Sequence, residues 1–251
     1  MKRKILFVIA LIAVAVGVYS AIQLYKEISE YRKGSEVYDN MTAYIKEPAE
    51  DTISEMTGET DESEEIDWPV VDFASLRKIN PDCVAWIQIK DTDINYPVLQ
   101  GADNAYYLRH LIDGQWNSSG SIFLDYRVGA DMTARHSIIY GHHMKNGTMF
   151  SELTKYKEQS YYEEHPIGYL LTPQKNYIIE FFAGYVAKVD DNAWNTEYVS
   201  ESDFREWLND VSEQSLFESQ VTPETTDKIL TLSTCSYEFN NARYVLHGII
   251  K

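Results

Sequence analysis

The apolar positions of this chain follow three successive patterns. Ile5 to Leu24 is apolar almost without interruption and follows directly on the basic stretch MKRK. A helix rises about 1.5 Å per residue, so this run extends about 30 Å, the thickness of one hydrocarbon core. Tyr25 to Glu47 has helical character but no strong apolar face. Beyond Trp68 the apolar residues gather in short runs: CVAWIQI, YPVLQ, GSIFLDY, HSIIYGH, IGYLLTP, NYIIEFFAGYVA, KILTLSTC and RYVLHGII. These runs are β-branched and aromatic and are bounded by Gly, Pro, Asn and Asp, as strands are. Eight short strands with few helices predict a mainly β fold, a closed or nearly closed barrel. Helices interrupt it in three places. Asp72 to Asn80 reads as a short helix with Asp72 as N-cap, Met149 to Lys157 as a second, and Ser200 to Gln214 as a third. In the third, Phe204, Trp207, Leu208 and Val211 fall at i, i+3, i+4 and i+7, one buried face.

Composition and charge refine this division. The 251 residues allow one large domain or two small ones, with enough length for a real core. The net charge of -17 argues against a nucleic-acid partner, which needs a basic face. Much of that charge is local. Ten acidic residues and no Lys or Arg lie between Glu47 and Asp67, a stretch too poor in apolar residues to fold alone. The expected organisation is a cytoplasmic tip and transmembrane signal-anchor over 1–24, an acidic spacer over 25–67 and a globular domain over 68–251. The positive charges precede the apolar run, which places the N-terminus in the cytoplasm and the remainder outside. A cleaved signal peptide fits less well, because the run is long and the small-residue site around Val18-Tyr19-Ser20-Ala21 is poor.

The candidate chemistry is sparse. Of the two cysteines, Cys83 stands before an apolar strand and reads as a small buried hydrophobe. Cys235 ends an apolar strand where the chain leaves the sheet, a common location for catalytic groups. A thiol with an ordinary pKa of about 8.5 needs an imidazole or cation beside it to react as thiolate. His110, His136, His165 and His247 occur singly, whereas His142-His143 follow an apolar strand and Gly141. A histidine pair can bind metal, but no further ligands with suitable spacing stand nearby, which leaves general acid–base work. Arg243 opens the last strand; a guanidinium is always charged and directs its donors to where negative charge develops.

Together these motifs resemble those of the sortases, cysteine transpeptidases of Gram-positive cell surfaces. TLSTC followed by Arg243 resembles the sortase signature, and IIYGHH resembles the sortase histidine motif. The segment from Ile79 to Arg127 and the helix before the last two strands resemble class B in particular. Cys83 stands where the family usually has an aliphatic residue. The resemblance implies an eight-stranded closed β-barrel with an N-terminal helix and a helix inserted before the last two strands. It implies that Cys235 attacks a threonine carbonyl in the C-terminal sorting motif of a secreted protein and forms a thioester. His142 would protonate the leaving amine and then deprotonate the amine of a peptidoglycan cross-bridge or pilin. Arg243 would hold the oxyanion. His142 rather than His143 matches, because the family histidine directly follows glycine, and alternation puts 138, 140 and 142 on one face. Asn104, Leu108, Tyr140 and Ser233 match substrate-pocket positions; Tyr198 and Val199 match less closely. No metal or cofactor is implied. Class B enzymes are associated with NPxTN-like signals, and some members use other motifs.

Two other readings compete. A surface cysteine peptidase of the papain type would place Cys before His in the chain, the reverse of the order here. A membrane-tethered, non-catalytic binding barrel would bury Cys235 as an inert thiol.

Overall fold

A computed structural model describes residues 2–48 and 68–251. The chain begins with α1 (Lys2–Met41), and all its large apolar side chains from Ile5 to Leu24 are exposed. It is one helix long and apolar enough to cross a membrane. Its second half behaves differently. Tyr38 and Met41 are buried in the domain core, and Tyr31 packs against that core. The chain then forms β1 (Ile45–Lys46), which pairs with β2 (Val70–Val71). The packed unit therefore includes residues well before Trp68, within the segment expected to be a spacer. The pattern hid this because Tyr31, Gly34, Tyr38 and Met41 share a face through two tyrosines, a glycine and a methionine, a weak apolar signal. The rest of the acidic stretch, 49–67, lies outside the described residues.

Next comes α2 (Phe73–Ile79), capped as expected: Asp72 Oδ1 accepts from Ser75 N at 3.0 Å. The strands are β3 (Cys83–Gln88), β4 (Asn95–Leu99), β5 (Ile122–Leu124), β6 (His136–Tyr140), β7 (Ile167–Leu171), β8 (Asn176–Lys188), β9 (Lys228–Cys235) and β10 (Ala242–Ile250). They close into a barrel in the order β10-β8-β7-β3-β4-β5-β6-β9. Each of the eight expected apolar runs supplies one strand. The β4–β5 and β6–β9 pairs are parallel and the others antiparallel. The expected helix over Met149–Lys157 is a 3-10 helix, Ser151–Lys157, followed by α3 (Gln159–Glu164).

Alternation along the strands sorts the side chains into two layers. Leu230, Leu232, Tyr244 and Leu246 fill the barrel interior. Ile229, Val245 and Ile249 point outward, where α4 (Glu201–Glu213) covers them with Phe204, Trp207, Leu208 and Val211. Burying each such side chain contributes about 1.5–3 kcal/mol before ordering entropy is subtracted. Ser233, Cys235 and Arg243 stand on that same outer face, beyond the edge of the helix.

Candidate active site

The register of β9 and β10 brings the thiol and the guanidinium together. Cys235 lies directly opposite Arg243 in this antiparallel pair. Opposed residues point to the same side of a sheet with Cβ atoms about 4.5–5.5 Å apart. The eight-residue separation in sequence is thus the length of a returning hairpin. Asn241 completes its turn with φ of 62°, a conformation asparagine tolerates. Among the described residues Cys235 is a free, half-buried thiol.

The histidine arrives from the other neighbour of β9. Strand β6 runs parallel to it, with Tyr140 opposite Ser233. Gly141 N continues the ladder by donating to Ser233 O at 3.1 Å. A Cβ on Gly141 would sit 2.4 Å from Ile122 Cδ1 and 2.7 Å from the Phe150 ring, so only glycine lets the chain pass here. His142 follows, two residues beyond Tyr140 on the same face, as Cys235 is two beyond Ser233. Its carbonyl accepts from Phe150 N at 2.9 Å.

The His142 ring is oriented from outside the sheet. Nε2 lies 2.8 Å from the Leu108 carbonyl, in the loop after β4. A carbonyl only accepts, so Nε2 carries the proton and Nδ1 is the basic nitrogen. Burial pushes the pKa of His142 below its ordinary value, and the charges of Arg109 and Arg243 push the same way; the Leu108 carbonyl opposes them. The imidazole is therefore neutral at neutral pH. His143 turns away: its Nδ1 donates to the Cys235 carbonyl at 3.1 Å, and its ring packs edge-on against Tyr237.

Beside these residues lies an open groove of about 500 Å3, lined by Tyr140, Ser233, Arg243, Arg127, Trp194 and the Val189–Asn195 loop. The sequence reading singled out Tyr140, Ser233 and Arg243 but not Arg127, Trp194 or the residue beneath them, Asp125. The Asp125 carboxylate is fully buried. It accepts from Arg127 Nε at 2.9 Å, Arg127 Nη2 at 2.7 Å and the Tyr140 hydroxyl at 2.9 Å. Burial alone would raise its pKa; the Arg127 and Tyr140 hydrogen bonds outweigh that and hold it below the usual carboxylate range. The charged pair thus clamps two groove walls at once. Trp194 Nε1 donates to Ser233 Oγ at 3.1 Å, which leaves the Ser233 proton for the groove. The only available signal for Asp125 and Arg127 was charge inside an apolar strand context, LDYR, and no spacing rule marks it.

The remaining expected residues are spread more widely. Leu108 reaches the site through its carbonyl, and its side chain is exposed. Asn104 Oδ1 accepts from Tyr126 N at 3.1 Å, next to Asp125 and Arg127. Tyr198 does not line the groove; its ring packs on Phe204 and Trp207, and its hydroxyl lies 3.1 Å from His136 Nδ1. Val199 is 98% exposed beside the start of α4. Cys83 is fully buried in the core with its thiol pushed up to about 12 by burial, as befits a structural residue. Among the described residues no three His, Cys, Asp or Glu side chains gather as metal ligands.

A thiol, a neutral imidazole and a guanidinium stand at neighbouring strand ends, the kinds of group that acyl transfer through a covalent intermediate uses. Known proteins place this chemistry in a family. The sortase domain model matches residues 87–250. Sortase B of Listeria monocytogenes is 34% identical over 243 residues, covering 96% of this chain and 94% of that protein. The Staphylococcus aureus sortase B–substrate complex is similar with a TM-score of 0.68 and 36% identity, over 71% of this chain and 84% of that one. A sortase B solved in complex with triglycine gives the same TM-score and identity, over 71% and 85%. The chain belongs to the sortase family, the cysteine transpeptidases, and within it to class B.

Proposed function

We propose that Cys235, His142 and Arg243 carry this transpeptidation, and that its substrates are secreted proteins bearing a C-terminal sorting motif. The observation that supports the roles is the shared face of three adjacent strand ends: Cys235 opposite Arg243, with His142 next to them on the far side of Cys235. The Cys235 sulfur attacks the threonine carbonyl carbon of the motif, and the thiol proton passes to His142 Nδ1. Arg243 holds the developing oxyanion. As the tetrahedral adduct collapses, its C–N bond breaks and Nδ1 returns the proton to the leaving amine. The acceptor amine then attacks the thioester, gives its proton to Nδ1, and the Cys235 thiolate leaves and is reprotonated. The proton count closes within the Cys–His pair, so no metal or cofactor is required.

The acceptor is an amine of cell-wall peptidoglycan or of a pilin. Tyr140 and Ser233 act as groove walls for the motif, with Asn104 and Leu108 at its rim; Tyr198 and Val199, expected to line the substrate, lie apart from this groove in the segment before α4. Helix α1 holds the enzyme in the cell membrane with its N-terminus cytoplasmic and the barrel outside, in keeping with MKRK before the apolar span. The test is mass spectrometry of the full chain with a fluorogenic NPxTN-type peptide. A thioester at Cys235, discharged by an added amine, is expected; an adduct at any other residue ends the assignment.

A further inference from the structure

The extramembrane half of α1 grips both loops that orient His142. Tyr38 is buried, and its hydroxyl donates toward Gly120 O (2.9 Å) and Ser121 Oγ (2.7 Å). Ser121 N donates to Tyr107 O at 2.8 Å, the residue before Leu108, whose carbonyl accepts from His142. One helical turn or more earlier, the Glu30 carbonyl accepts from Asn117 Nδ2 at 2.9 Å, and Asn117 N donates to Arg109 O at 2.9 Å, the residue after Leu108. The Leu108 carbonyl is thus bracketed on both sides by contacts to α1. The second loop is reached from the same tyrosine. The Tyr38 ring packs edge-on against Tyr96 at 5.5 Å, and the Tyr96 hydroxyl accepts from Met149 N at 2.9 Å. Met149 precedes Phe150, whose N–H holds the His142 carbonyl. Between these contacts Gly34 lets the loop approach: a Cβ there would lie 2.8 Å from Ser119 Oγ. A glycine inside a helix costs about 1 kcal/mol relative to alanine, and this close approach is the physical reason for it.

We infer that Tyr38 and Gly34 are positioning residues for His142, so that the membrane anchor and the active site form one mechanical unit. The span ends at Leu24 and Tyr38 lies 14 residues further along a continuous helix, about 21 Å. The helix therefore both braces the proton-transfer histidine and sets its height above the bilayer. A sorting substrate still held in the same membrane meets the groove at a fixed level. The inference rests on the proposed role of His142.

The test uses the full chain in lipid nanodiscs, with Tyr38→Phe, Gly34→Leu and His142→Ala compared by hydrolysis of the NPxTN-type peptide and by hydrogen exchange. Tyr38→Phe removes only the hydroxyl, and a lost buried hydrogen bond corresponds to about a tenfold effect. Both Tyr38→Phe and Gly34→Leu are expected to lower kcat about tenfold with KM unchanged. Amide exchange should rise in 106–121 and 142–150, while β8, β9 and β10 exchange as in the parent. Leucine is a better helix former than glycine, so loss of activity in Gly34→Leu does not report a frayed helix. Parent kcat with unchanged exchange in both loops would overturn the inference. An equal rise in exchange over the whole barrel would also overturn it, since that reports global destabilisation. An active His142→Ala enzyme would instead overturn the role assigned to the histidine.

Discussion

The two cysteines of this chain sit on opposite sides of one barrel, on β3 and β9. Cys83 opens β3 and is packed into the core, with no exposure and its thiol pushed up to about 12 by burial. Its Sγ reaches only a backbone oxygen, Ala85 O at 3.9 Å. Cys235 closes β9 on the face that α4 covers further along, half-buried, opposite Arg243 and next to the strand that leads into His142. Both are free, both lie at strand ends, and neither is distinguished by residue type. What separates them is burial, and with it access to water and to the guanidinium and imidazole at the neighbouring strand ends. Reactivity here is a property of surroundings.

The largest contrast is in catalysis. Cys235→Ala should abolish cleavage and transfer, while Cys83→Ala retains the parent rate and loses on the order of 1 kcal/mol of stability to a small cavity. Peptide cleavage by purified full chain, with thermal unfolding alongside, checks both; appreciable turnover by Cys235→Ala would erase the distinction. Next in size is chemical reactivity. A thiol whose pKa rises from 9.0 to about 12 holds about 10³-fold less thiolate at neutral pH, and burial excludes the reagent as well. Iodoacetamide should therefore label Cys235 in the folded protein and Cys83 only after unfolding, as peptide mapping would read. Equal labelling of the two would break the comparison.

Arg243 sharpens it further. Arg243→Lys keeps the charge but loses the planar fork, and loss of one oxyanion donor costs about 10²–10³ in rate. Thioester formation should slow by that factor while iodoacetamide still modifies Cys235. A parent-like rate would reduce Arg243 to a general cation. The smallest expected effect concerns pH. Burial first, and the charges of Arg109 and Arg243 after it, hold His142 below 6.5. The neutral imidazole proposed to accept the thiol proton is lost as pH falls through that depressed pKa. The acid limb of kcat/KM should thus lie below pH 6.5, the ordinary value. Arg109→Gln removes one positive charge and should move the limb upward by a fraction of a unit. A limb that moves downward would contradict the electrostatic account.

Truncation bears on the division expected from the pattern. Removing residues 1–24 takes only the exposed apolar part of α1. Removing 1–67 also takes Tyr38, Met41 and Ile45 out of the core. The barrel strands were legible because eight β-branched runs with turn residues between them admit few other folds. The brace was not, because its face toward the barrel is made of tyrosines, a glycine and a methionine rather than a leucine stripe. The Asp125–Arg127–Tyr140 clamp was hidden for a different reason. A buried carboxylate is stable only when its partners are in place, and nothing in the string LDYR states that a tyrosine from β6 completes the set.

The order of the motifs along the chain was enough to determine the class of protein. They did so by their resemblance to the sortase signatures; alternation and hairpin registry are local rules that pair Cys235 with Arg243, whereas the parallel β6–β9 pairing that brings His142 to them is not. The apolar N-terminal run likewise follows from length and composition alone. Tertiary structure decided what local rules do not reach. It chose Nδ1 of His142 as the basic nitrogen by setting a loop carbonyl against Nε2. It built the groove on an ion pair whose carboxylate is buried, and it packed the second half of α1 against the core. Each of these depends on contacts between separate segments of the chain, as with Leu108 and His142 or Asp125 and Tyr140, whose geometry exists only once the barrel has closed.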